Sequence, residues 1–65
     1  MNLYVIFRGE MYEGGRIVSI HLNYVTAQTR LKEVAKTMTG RKKWTGDRCE
    51  AGCDFVELQA HQAEL

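Results

Sequence analysis

The sequence predicts an α+β domain of β-β-α-β order: a three-stranded, mostly antiparallel sheet in spatial order 2-1-3, with one helix packed on one face. Three observations carry this expectation. LYVIFR at residues 3–8 consists almost wholly of strand formers, and a Gly14–Gly15 pair separates it from a second such run, IVSIHL, at 17–22. Apolar residues then recur at helical spacing from Ala27 to Met38. The 65 residues are enough for one domain, 1–65, with a thin core.

The first strand places Leu3, Val5 and Phe7 on one face and Tyr4, Ile6 and Arg8 on the other. Apolar character on both faces suits an interior strand. Gly14 and Gly15 can take positive φ at no steric cost, so a hairpin bend is expected there. An anion nest at the same pair is the weaker reading, because GxxxxGK[ST] is absent. IVSIHL forms the return strand.

Asn23 is placed to cap a helix of about residues 24 to 38. Ala27, Leu31, Val34, Ala35 and Met38 form its apolar stripe, and Gln28, Arg30, Lys32, Glu33 and Lys36 its solvent side. Gly40 is the expected stop. The closing strand, CDFVELQAH at 53–61, sets Val56, Leu58 and Ala60 against Cys53, Phe55, Glu57 and Gln59. With the last strand beside the first, one sheet face receives the helix. The other keeps aromatic side chains partly exposed, and a second copy of the chain is the expected cover, giving a homodimer.

Between helix and last strand stands TGRKKWTGDRCEAGC, residues 39–53, read as an irregular connector. Net charge is only +1, but residues 30–48 carry seven cations against two acids. That +5 segment is the strongest electrostatic feature of the chain. Arg41, Lys42, Lys43, Trp44 and Arg48 are therefore the partner-binding candidates. The cations would steer an acidic partner surface and Trp44 would supply apolar area. The competing reading of Trp44 is a plug that closes the open end of a small core.

Catalysis is not expected. Cys49 and Cys53 have C-x₃-C spacing, and His21 and His61 are remote from both, a poor match to a tetrahedral zinc site. CEAGC is not the CxxC of a thiol oxidoreductase. The expectation is two free thiols, with Cys53 half-buried and Cys49 in the loop. Glu10 and Glu13 fall in the hairpin connection, and Asp47, Glu50 and Asp54 in the long loop, each serving as a solvated charge. No catalytic residue, metal ligand or cofactor is assigned. No run approaches the ~20 apolar residues of a membrane span. MNLYVIFRGE lacks a basic lead, so it is read as a strand of an intracellular, cytoplasmic protein.

Three segments, YVIFRGEMYEGG, RIVSIHLNYVTAQ and DFVELQAHQAEL, together with Ala27 near the helix start, carry a resemblance. The chain resembles a family of small α/β proteins of phages and bacteria, and CEAGC lies outside that pattern. The resemblance implies the β-β-α-β fold and a phage or mobile-element origin, with no activity attached. The resulting expectation is a small protein-binding module, a phage-encoded inhibitor or modulator of a host protein acting by surface contact. The alternative is a nucleic-acid-binding accessory protein that uses the basic loop from Arg41 to Arg48. A variant of the first reading has Glu10, Glu13, Glu50, Asp54 and Glu57 mimic phosphates.

Overall fold

The structure, a computed structural model, describes residues 1–62. Its elements run β1 (Asn2–Glu10), β2 (Gly14–His21), α1 (Tyr24–Lys36), β3 (Lys42–Thr45), β4 (Arg48–Ala51) and β5 (Asp54–Gln62). The sheet therefore has five strands, in order β2-β1-β5-β4-β3 with every neighbouring pair antiparallel. This corrects the three-stranded β-β-α-β expectation. The central strand is β5 rather than β1, which lies one place from the edge.

The difference arises in residues 39–53. What reads as a connector is a β-hairpin followed by a second tight turn. Thr45 pairs with Arg48 across the Gly46–Asp47 turn, and Ala51 pairs with Asp54 across Gly52–Cys53. In each turn the first residue is a glycine at positive φ, +58° and +62°, and the second is not. That is the backbone pattern of a type II′ hairpin turn, which matches the twist of the strands it joins. Both turns are tied to the sheet by backbone bonds, Met11 N–H to the Cys53 carbonyl and Leu58 N–H to the Asp47 carbonyl, each 2.9 Å.

The first hairpin also differs in detail. Its turn is Met11–Glu13, and Gly14 alone of the glycine pair takes positive φ, +79°. Gly15 lies within β2. The register of β1 on β2 shifts between Ile6 and Phe7, a bulge that leaves Val18 and Ser19 both on the helix side.

Helix α1 starts where Asn23 Oδ1 accepts from the Thr26 N–H at 3.1 Å. It ends two residues earlier than its apolar spacing predicts, at Lys36, and Thr37 and Met38 close it with short backbone bonds to Val34 and Ala35. Met38 stays buried beyond the helix end. The helix rests on β5, β1 and β2. Its stripe of Ala27, Leu31, Val34 and Ala35 packs on Ile6, Val56, Cys49 and Ala51. Removing such a stripe from water is worth about 25 cal/mol per Å² and is what holds the helix to the sheet. Tyr24 adds an edge-on contact with the Tyr4 ring, centroids 5.4 Å apart. Its hydroxyl donates to Asp47 Oδ2 at 2.6 Å, linking the helix start to the β3–β4 turn. That bond to a carboxylate holds the phenol above its ordinary pKa.

Among the described residues no helix is long and apolar enough to cross a membrane.

Candidate functional site

With the helix on one side, no element among the described residues covers the other side of the sheet. Strand alternation and register bring Leu3, Val5, Phe7 and Gly9 of β1 to that side. Ile20 and Ile17 of β2 stand opposite Val5 and Phe7, and Phe55 of β5 stands opposite Gly9. Ile17 and Ile20 are 56% and 57% exposed, yet Val5 between them and β5 is only 7% exposed. Neighbouring side chains alone cover it.

Two glycines make this surface flat. A Cβ on Gly9 would lie 2.8 Å from the Phe55 ring, and one on Gly15 would lie 2.7 Å from the Phe7 ring. Each ring thus occupies the space that a side chain would fill. The glycine backbone gains cover, and the rings, 6.0 Å apart, tilt by only 32° to each other.

Next to this apolar strip runs a polar one on β5 and β4. Arg48 reaches Glu50 Oε1 at 2.9 Å and Glu57 Oε2 at 3.0 Å, with its guanidinium carbon 4.2 Å above the centre of the Phe55 ring. The hydrogen bonds to Glu50 and Glu57 hold the guanidinium firmly in its charged form. Gln59 continues the strip, donating to Glu57 and bonding to His61 at 3.0 Å.

The five sequence candidates are divided by this geometry. Arg48 is occupied by two carboxylates and a ring. Arg41, Lys42 and Lys43 are exposed, and among the described residues none makes an ion pair. They run into and along the outer edge strand β3, where lysines also guard against edge-to-edge pairing. Trp44 pairs with core-facing Cys49, which puts it on the helix side of β3, 45% exposed. The basic edge and the large apolar strip therefore lie at opposite borders of the sheet.

The cysteines reverse their expected places. Cys49 is fully buried and Cys53, in the β4–β5 turn, is exposed, both as free thiols. Burial pushes the Cys49 thiol up, away from its reactive form. Among the described residues no group of three or more His, Cys, Asp or Glu side chains is placed to hold a metal ion. Glu10 and Glu13 share a hydrogen bond at the open hairpin end, which together with their mutual repulsion raises the Glu10 carboxyl above its ordinary value.

Sequence reasoning expected an open, partly aromatic sheet face but missed Ile17 and Ile20 on it and the packing of rings over glycines. Its signal was present in the pairing of Gly9 and Gly15 with Phe55 and Phe7, but that pairing depends on register. Comparisons of the chain with protein-family models, with curated proteins and with solved structures find no match.

Proposed function

We propose that this protein is a non-catalytic protein-binding module that docks a partner protein on the open face of its sheet. The observation that carries this reading is the uncovered strip of Ile17 and Ile20 beside Phe7, Val5 and Phe55. A flat apolar strip bordered by a paired polar one has the anatomy of an interface centre and its rim. Arg41, Lys42 and Lys43, without an ion pair among the described residues, border the same sheet about 19 Å from β2, four inter-strand spacings away. The partner in this reading carries an apolar patch with an acidic flank, and the cations speed its approach. Its effect on that partner is steric, the mode of action expected of a small inhibitor or modulator of a host protein.

Capture experiments with three forms of the chain test this. The wild type should retain one stoichiometric partner protein. Ile17→Lys with Ile20→Lys should lose it while keeping its circular dichroism spectrum, and Lys42→Glu with Lys43→Glu should slow its association. Undiminished capture by the isoleucine variant refutes the docking face. Sedimentation of the purified chain identifies the case in which the partner is a second copy.

A second reading rests on Trp44, half-exposed beside three cations that make no ion pair among the described residues: stacking on a nucleic-acid base at the β3 edge. Its test is the fluorescence of this single tryptophan, titrated with short DNA and RNA at two salt concentrations. Quenching that weakens with salt supports it, and an unchanged spectrum removes it.

A further inference from the structure

On the helix side of the sheet, away from the docking face, Arg8 of β1 and Arg16 of β2 stand directly opposite each other. With Arg30 of α1 they line a cleft of about 250 Å³, walled further by Val18, Glu33 and Thr37. Like charges directly opposite across a strand pair are destabilising. A carboxylate between them would remove the conflict, yet among the described residues neither Arg8 nor Arg16 forms an ion pair.

Their hydrogen-bonding capacity is also largely unspent. Arg8 makes one long bond, 3.4 Å, to Thr37 Oγ1. Arg30 gives one nitrogen to Glu33 at 3.1 Å. Each guanidinium has five N–H donors in a fixed fork. Within the lining two features oppose an anion, the Glu33 carboxylate and the carbonyl end of α1, which carries about half a negative charge. Three guanidiniums outnumber them there, and Glu10, Glu13 and Asp54 adjoin Arg8 and Arg16 outside the cleft.

We infer that this cleft binds the terminal phosphate of a phosphate monoester. Forked guanidiniums match the oxygens of a phosphate, and three of them can share its several acceptors. The surroundings select a single phosphate over a nucleic-acid backbone. Glu10, Glu13 and Asp54 adjoin Arg8 and Arg16 on one side, and Glu33 stands on the other. A strand of successive phosphates would meet carboxylates in either direction.

The test is a titration of the ¹⁵N-labelled chain with inorganic phosphate and with O-phosphoserine, at neutral pH and constant ionic strength. Saturating amide shifts centred on Arg8, Arg16, Arg30 and Thr37, in the millimolar range, are expected with both. Arg16→Ala should abolish saturation, yet without phosphate it should melt no lower than wild type, because the like-charge pair is relieved. Arg16→Lys, which keeps the charge and loses the fork, should bind several-fold more weakly. Lys32→Ala, an exposed cation of α1 outside the cleft lining, should bind as wild type does. Shifts that grow linearly and are matched by chloride overturn the site, as does equal saturation in Arg16→Ala and wild type. Tighter binding of a short oligonucleotide at the same residues overturns the monoester assignment.

Discussion

Both faces of the sheet carry inaccessible apolar residues, and they hide them by different means. On the covered face Ile6, Val56 and Cys49 are fully buried because a helix lies over them or over their neighbours. On the open face Val5 is nearly as inaccessible with no element above it. There the cover comes from within the sheet, from side chains on neighbouring strands, and at Gly9 and Gly15 the Phe55 and Phe7 rings fill the space a side chain would take. A core made by stacking layers must be paid for with the ordering of a helix and its connections. A surface made by laying rings over glycines needs only the correct register. It also leaves Ile17 and Ile20 free to meet another protein.

The contrast is sharpest at Ile6. Ile6→Ala should cost about 2–5 kcal/mol in urea denaturation, through lost transfer energy and an unfilled cavity beneath the helix. Val5→Ala should cost about 1.5 kcal/mol, the value of two methyl groups at a site that solvent can refill. Equal losses would mean that the two faces form one core.

Next in size are the glycines. Gly9→Ala and Gly15→Ala should each cost about 1–3 kcal/mol. The added Cβ meets not only a ring but a backbone carbonyl, of Gly14 at 2.7 Å or of Arg8 at 2.5 Å, and the backbone cannot step aside as a side chain can. A neutral result at both would show that the rings are not held over the backbone.

The cysteines sharpen the same comparison from the covered side. Cys49→Ser puts a hydroxyl into the fully buried site and should cost about 1–3 kcal/mol, while Cys53→Ser in the exposed turn should stay within about 0.5 kcal/mol of wild type. Thiol titration of the native chain should find one fast group, Cys53, and a second only on unfolding. Two fast groups would place Cys49 outside the core.

The smallest effect belongs to neither face. Glu10 holds its proton more tightly in the fold than in the unfolded chain, because of Glu13 first and Asp54 after it. A raised carboxyl destabilises the fold above its titration range and ceases to do so as pH falls below the ordinary carboxylate value. Glu10→Gln should therefore melt slightly higher than wild type at neutral pH, with the gap closing through the carboxylate range. A gap that widens on acidification would reverse the sign.

How far the sequence was legible depended on element length. The 13-residue helix declared itself by its stripe from Ala27 to Met38 and by the Asn23 cap, because several turns repeat the same signal. β1 and β5, nine residues each, alternate long enough to be read as strands. β3 and β4 have four residues each, and a period of two repeated twice is no signal beside three consecutive cations. Their better marker was the glycine opening each two-residue turn, at Gly46 and Gly52. Of the candidate site, the exposure of Lys42 and Lys43 was readable, while Trp44 could be read either as exposed or as a plug of the core. The diversion of Arg48 into Glu50, Glu57 and Phe55 was not readable, since Glu57 lies nine residues away and comes near only through the β4–β5 register.

Composition and periodicity by themselves determined one helix, three of the strands, the segregation of positive charge into residues 30–48 and the apolar stripe that forms the core. These are properties of neighbours in the chain, and local sterics and hydrophobic spacing are enough to set them. Only the tertiary structure decided the number of strands, which cysteine is hidden, which cations remain unpaired and that Arg8 faces Arg16 across a cleft. Each of those is a contact between residues distant in sequence, fixed by hydrogen-bonded register, and register is a property of the assembled sheet.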